Sequence, residues 1–520
     1  MNSPSNIIGS RRNIIKNSIG IFASRFLTTL VAFISIPIVV AKLGIAGYGT
    51  WESIIAVSIL SNIFQGTISG TLLWLVSNAY GSNDIVSVRQ YIRIGVGCSL
   101  IFFMLIAPAA WFGRYFLVDL FKVPLEYAGV ASWILPCVVG LMLLTSISEV
   151  FGAVICGFQR TGATTITQAV ATSVNNVLVI ICLIMGFGFW SLLIGFISGF
   201  LISTIGLYYL ARRIVGQFSF LPSFPNRSFM IIVAPYAGFM LLGALSMALR
   251  DQADKIILSS VASPAWTGYY GIAARFSGIV TIVCTFFYVP TIAASGALYA
   301  NNDLEGIHRL YKDVITMISF LVGLVVVIMA GFYDRLVVLW IGRPIPEVGN
   351  IIFLLLLGYT VAVILTGTGS SVCKGMGIVR IETIYIIVGL VINVLLKIIL
   401  VPFYGAMGTL ASSAISWSVS SIVFVVLLHK QTKIPLSSTM KAVKTLFIVA
   451  VCILIARWIT TIWPVETERL PALYSLLKLG VPLALMYMFL MVIFDILPWD
   501  ELLSCGQSVK AKIVNICTKG

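Results

Sequence analysis

The stretch VITMISFLVGLVVVIMAGFY, residues 314–333, contains no charged side chain. As a helix rising about 1.5 Å per residue, it reaches about 30 Å, the thickness of a bilayer's hydrocarbon core. Runs of the same kind recur on both sides of it. Spans are expected near 17–40, 50–76, 91–112, 130–155, 163–186, 189–210, 229–254, 267–292, 313–333, 349–371, 381–401, 406–428, 443–463 and 472–494. Hydrocarbon offers no partner for a free N–H or C=O, so each run is expected to be helical. The expected fold class is an all-α polytopic membrane protein with about 14 transmembrane helices, within a range of 12 to 14. Composition agrees. Of 520 residues, 59% are hydrophobic and 10% charged, against about 25% charged in a soluble domain. Mean hydropathy is +1.06, which no single soluble core with a polar shell can absorb.

The net charge of +15 would suggest nucleic acid in a soluble protein. Here the cations sit in short loops between apolar runs, so topology is the better account and no nucleic-acid partner is expected. With the N-terminus inside, the inside segments hold 20 Lys and Arg, including Arg11, Arg12, Arg89, Arg93, Arg212, Arg213 and Lys430. The outside segments hold seven, among them Lys42, Arg114, Lys122, Arg335 and Arg469. That imbalance places both termini in the cytoplasm of a bacterial inner membrane protein. The first span follows a polar start, shows no clear cleavage site, and is read as retained.

Little in the sequence points to chemistry. The nine cysteines are scattered, without a C-x-x-C pair, and read as small apolar residues. The two histidines, His308 and His429, fall in loops, so neither a metal site nor a cofactor is expected. No phosphate-binding loop or nucleophile elbow is present, and no loop is long enough for a catalytic domain.

The chain repeats once. Gly47-Tyr48 recurs as Gly268-Tyr269, Asn83-Asp84 as Asn302-Asp303, and Arg89 and Tyr91 as Arg309 and Tyr311. Gly157 recurs as Gly375, Asn175 as Asn393 and Gly188 as Gly405, with offsets drifting only from 221 to 217. A unit of six spans is even, so both copies enter the membrane in the same sense, as in transporters built from two parallel halves. The expected organisation is a six-helix lobe at 1–210, a cytoplasmic linker at 211–228 and a second six-helix lobe at 229–429. Two further helices lie in 430–495, and a cytoplasmic tail at 496–520.

Charges inside spans carry the functional information, because an ionised side chain at a helix centre costs about 2.5–3.5 kcal/mol on insertion scales. Arg25 and Arg275 lie well inside the first and eighth spans, with no acid three or four residues away. Each therefore needs a partner on another helix, water or an anionic ligand. In Arg250-Asp251-Gln252-Ala253-Asp254-Lys255, opposite charges at i, i+4 (Arg250 with Asp254, Asp251 with Lys255) can neutralise each other, or form a gate or ion-coupling site. Glu149 is a further candidate for coupling. Lys397 and Lys478 lie near span ends, where snorkelling is expected, and Arg457 lies deeper. Pro37, Pro136, Pro235 and Pro290 are candidate bends.

Three stretches carry a family resemblance: NSIGIFASRFLTTLVAFISIPIVVAKLGIAGYGTW at 17–51, RDQADKIILSSVASPAWTGYYGIAARF at 250–276, and CKGMGIVRIETIYIIVGLVINVLLKIILVPFYGAMGTLASSAIS at 373–416. With the paired repeat, the chain resembles the Wzx-type polysaccharide-biosynthesis flippases of the multidrug/oligosaccharidyl-lipid/polysaccharide exporter superfamily. The resemblance implies a MATE-like architecture of two bundles around a cavity. It also implies a lipid-linked oligosaccharide substrate on undecaprenyl diphosphate, membrane lipids as surroundings, glycan polymerase or assembly proteins as partners, and a cationic cavity onto which Arg25 and Arg275 map. The alternatives are a multidrug or cation antiporter of the same superfamily, which would use an acid in the N-terminal lobe, and a membrane glycan polymerase or ligase, which would need a larger outer loop.

Overall fold

The computed structural model of the chain describes residues 4–496 apart from 58, 83, 159, 220, 379 and 433. Side chains are described from Ser24 onward, except at several positions that include Arg25, Arg250 and Asp251. The described residues form helices and short connections, with no strand among them. In order, the helices are α1 (Pro4–Val57), α2 (Ile59–Gly81), α3 (Ile85–Phe112), α4 (Arg114–Leu120), α5 (Leu125–Gly157), α6 (Thr161–Ile184), α7 (Trp190–Val215) and α8 (Arg227–Val261). There follow α9 (Pro264–Ala300), α10 (Leu304–Gly331), α11 (Tyr333–Ile341), α12 (Pro346–Gly375), α13 (Arg380–Thr432), α14 (Leu436–Ile462) and α15 (Arg469–Ile493).

Every expected span falls, to within two residues at its ends, on helical backbone wherever the backbone is described. Among the described residues, 11 helices are long and apolar enough to cross a membrane. One of them, α13, is 53 residues long and carries two expected spans, divided at Gly405. The protein is thus a multi-pass membrane protein. The backbone breaks inside α1 and α13 come at glycines, Gly44 (φ 69°) and Gly405 (φ 53°), where a left-handed conformation costs a residue without Cβ little. The four candidate prolines lie inside α1, α5, α8 and α9 instead.

The chain divides into two compact units, one of Met1–Arg275 with Asn393–Ser412, the other of Phe276–Ile392 with Ser413–Gly520. In the first, Ile68, Leu72 and Val76 of α2 pack with Ile92 and Val96 of α3, Phe151 and Val154 of α5, and Leu207 of α7. Lipid tails are as apolar as leucine, so close packing rather than water exclusion holds such helices together, and small residues set the approach. A Cβ on Gly157 would sit 2.6 Å from Val76, and one on Gly195 would sit 2.3 Å from Val179. In the second unit, Gly375 lies against Ser295, Gly331 against Ala456, and Gly323 against the Tyr487 hydroxyl.

Local geometry recurs with the sequence repeat. Asp84 caps α3 by accepting from the Ser87 amide, and Asp303 caps α10 by accepting from the Gly306 amide. Such caps contribute about 1 kcal/mol each. A short helix follows in each copy, α4 after α3 and α11 after α10. Gly188 and Gly405 share a left-handed φ of 54° and 53°. The contact of Gly157 with Val76 recurs as that of Gly375 with Ser295.

The tightest approach in the first unit joins the two Gly-Tyr segments. A Cβ on Gly49 would lie 1.7 Å from the Pro264 carbonyl oxygen, and one on Gly268 would lie 2.7 Å from that of Ile45. Backbone meets backbone here, and neither side can retreat. Gly49→Ala is therefore expected to destabilise by at least the about 1–3 kcal/mol typical of overpacking, while Gly278→Ala, with open space around its Cβ, is neutral. Thermal unfolding of the detergent-purified protein by tryptophan fluorescence checks this; equal melting of the two variants would contradict the contact.

Candidate functional site

The glycine contact brings α1, α8 and the start of α9 close together, and one turn beyond it lies a cluster of charges. Tyr48 and Glu52 stand four residues apart on α1, on one helix face. The Tyr48 hydroxyl donates to Glu52 Oε1 at 2.8 Å. Lys255 of α8 donates to Glu52 Oε2 at 2.8 Å, and Arg275 of α9 donates to Oε1 at 3.4 Å. Gly271 keeps the space open, since a Cβ there would stand 3.1 Å from Glu52 Cγ and 3.2 Å from the Tyr48 ring. The side chain of Glu52 is 5% exposed and that of Lys255 15%, whereas that of Arg275 is 42% exposed. One buried carboxylate thus accepts from three donors, and the side chain of one of them, Arg275, is partly exposed.

A second pair adjoins the first. Asp254, 1% exposed, lies 2.6 Å from Lys397 Nζ on α13. Successive residues on a helix point about 100° apart. Asp254 and Lys255 therefore face different neighbours. Hydroxyls tie the surroundings together: Ser53 donates to Ser259 at 2.9 Å, Ser259 to the Phe121 carbonyl at 3.2 Å, and Thr267 to the Lys255 carbonyl at 3.2 Å. The described cluster holds three cations (Lys255, Arg275, Lys397) against two carboxylates (Glu52, Asp254).

These positions revise several sequence expectations. Lys255 and Asp254 have described partners on other helices, Glu52 and Lys397, in addition to any neighbour four residues away. Lys397 does not snorkel: its side chain is 8% exposed and paired. The side chains of Arg25, Arg250 and Asp251 lie outside the described residues. Glu149 is half-buried on α5, with Gln168 at 3.4 Å, and does not join the cluster. Arg457 pairs with Asp334 at 2.6 Å and stacks on Tyr333, and Lys478 lies 4.6 Å from the Trp463 ring centre. Arg335, expected in an outer loop, is fully buried; it donates to Ser475 Oγ at 3.0 Å and to the Trp463 carbonyl at 2.8 Å. Among the described residues, no group of three metal-ligating side chains comes together.

Glu52 is the site residue that sequence reasoning passed over. Its signal was its place beside Gly47-Tyr48 in a repeat whose second copy has Ala273 at the matching offset of 221. An acid present in one copy alone is a partner for cations that are also present in one copy alone.

The arrangement of helices has known counterparts. The lipid II flippase MurJ in its inward closed conformation superposes with a TM-score of 0.67 at 15% identity, over 93% of this chain and 100% of that one. An inward-facing multidrug resistance MATE family transporter of the MOP superfamily superposes with a TM-score of 0.63 at 16% identity, over 80% of this chain and 98% of that one. The fold is therefore the one that these two proteins share. Residues 14–295 match the family described as polysaccharide biosynthesis protein, and the chain belongs to that family. An uncharacterized membrane protein of Methanocaldococcus jannaschii is 24% identical over 434 residues, 81% of this chain and 99% of that protein.

Removing one partner of a buried ion pair strands the other charge, at a cost of about 3–5 kcal/mol. Lys397→Met is expected to lose about that much, and adding Asp254→Asn to recover most of it. Apparent melting temperatures of the wild type, both single variants and the double variant form the cycle that checks the coupling. Additive losses would mean that the two side chains do not act as a pair.

Proposed function

We propose that the protein is a flippase that moves a lipid-linked oligosaccharide or polysaccharide precursor, carried on undecaprenyl diphosphate, across the bacterial inner membrane by alternating access. The observation that carries this reading is the partly exposed side chain of Arg275, whose guanidinium reaches the buried Glu52. Its 3.4 Å contact is longer than the about 2.7–2.9 Å of a strong charge-assisted bond, while Lys255 holds the same carboxylate at 2.8 Å. An incoming diphosphate can take over Arg275 without leaving Glu52 bare. Guanidinium suits that task, because its planar donors match two phosphate oxygens at once. Membership of the polysaccharide biosynthesis family supports the glycan, and the fold shared with MurJ and the MATE family transporter supports transport over catalysis.

A cationic drug would need a carboxylate free to receive it. Glu52 already accepts from three donors and Asp254 is paired with Lys397, so the cluster favours an anionic cargo over the antiporter reading. The same proposal places Arg25 in the cavity with Arg275, both termini and residues 211–228 in the cytoplasm, and the repeats 1–210 and 229–429 as the bodies that alternate. Glycan polymerase or assembly proteins would receive the cargo on the far side.

Cells lacking the protein are expected to accumulate lipid-linked glycan repeat units on the cytoplasmic face. The wild type should clear them, Arg275→Ala should not, and Arg275→Lys should restore part of the activity. Arg275→Ala is expected in the membrane at normal abundance, which an immunoblot controls. Full clearance by Arg275→Ala would rule out this cluster as the anion site. For orientation, Gln217→Cys is expected to react with a membrane-impermeant maleimide only in inverted vesicles; labelling in intact cells would reverse the topology.

A further inference from the structure

The first unit contains a cavity of about 450 Å³ between α2, α3 and the first half of α8. Leu72, Ile94, Phe229, Val233 and Leu241 are typical of its walls. The two hydroxyls that reach it are spent on their own helix: Thr67 donates to the Ile63 carbonyl at 2.8 Å and Thr71 to the Thr67 carbonyl at 2.7 Å. By bulk share the space equals about fifteen waters, but a buried water needs two to four polar partners, and these walls offer almost none. Left empty, the walls would forfeit their dispersion contacts. The fitting occupant is hydrocarbon.

Beside the cavity the chemistry changes sign. The linker runs along α3, where the Ser223 amide donates to the Arg93 carbonyl at 3.1 Å and Arg93 Nε to the Leu221 carbonyl at 3.0 Å. Arg93 immediately precedes the wall residue Ile94, and Arg227 is an exposed residue between the wall residues Pro225 and Phe229. Arg89, one turn earlier on α3, bonds the Val215 carbonyl at 3.1 Å, and the exposed Arg212 and Arg213 end α7. Neither 85–112 nor 190–250 contains a single Asp or Glu. The rim is therefore cationic, and the carboxylate of Asp84 at the N-cap of α3 is held by the Ser87 amide and hydroxyl. The site is separate from the ion cluster, because Leu241 and Lys255 are fourteen residues apart on α8, or about 21 Å.

We propose that this cavity binds the hydrocarbon chain of an anionic membrane phospholipid whose headgroup rests on Arg93 and Arg227. Apolar walls beside a rim rich in arginine match the two ends of such a molecule, and juxtamembrane cations draw anionic headgroups. The assignment is independent of the glycan cargo.

Native mass spectrometry of the full chain in detergent tests it, with phosphatidylglycerol, phosphatidylcholine of the same chains, and undecaprenyl phosphate each titrated separately. Phosphatidylglycerol is expected to be retained about tenfold better than phosphatidylcholine, the scale of one or two cations acting on an anionic headgroup. Arg227→Ala, at an exposed position, should erase most of that preference, and Ala237→Trp should lower the retention of both phospholipids by filling the cavity. Equal retention of the two phospholipids by the wild type, or a preference unchanged in Arg227→Ala, would overturn the proposal. Retention of undecaprenyl phosphate with none of phosphatidylglycerol would overturn it too, and would mark the site as one for the carrier.

Discussion

A buried ionised side chain has little water to stabilise it, and the carboxylate of Glu52 is what allows Lys255 and Arg275 to stand beside α1 in the first unit. At an effective dielectric of about 20, each unit charge within about 4 Å contributes roughly 4 kcal/mol of attraction, set against the desolvation of both partners. One carboxylate shared by two cations and a phenol leaves the group cationic yet anchored. The sharing is unequal: Lys255 is close and nearly buried, Arg275 is farther away and open. Lys255 therefore makes the shorter and more buried contact with the anion, and Arg275 the longer and more exposed one.

That arrangement depends on backbone packing before it depends on charge. Tyr48, Glu52 and Arg275 meet because Gly49 and Gly268 let α1 and α9 approach until backbone touches backbone. Any side chain at Gly49 would force the helices apart and lengthen the contacts of Glu52 with α9. The residues of least chemical interest thus set the distances on which the charges rely, as expected where van der Waals packing holds helices together.

The helices were legible in the sequence because the membrane enforces a single solution for each long apolar run. The repeat was legible because its marks are turn and cap residues, such as Asp84 with Asp303 and Gly188 with Gly405, whose backbone demands are local. The pairing of charges was not. Arg250 through Lys255 offers i, i+4 partners but gives no sign of the acid 203 positions away that Lys255 reaches, or of the lysine on α13 beside Asp254. Helix periodicity ranks neighbours on one helix and carries no information about which other helix lies opposite. Arg335 was misplaced for a related reason: it follows an apolar run and reads as a loop cation, but α11 turns it inward onto Ser475 and the Trp463 carbonyl.

The scaffold repeats and the charges do not. Caps, short helices, left-handed glycines and close glycine contacts recur about 220 positions apart, whereas Glu52 is matched by Ala273 and Arg275 by Ile54. A charged ring built on both copies would present similar faces to a ligand from either side. The acid lies in the first copy and its cations in the second, so the two copies bring unlike charge to the junction. A scaffold of two similar copies can keep its backbone alike while its side chains differ at one junction. Substituting a few side chains at the Gly-Tyr junction leaves that backbone in place, because the backbone contacts that hold the junction involve only glycine and carbonyl oxygen.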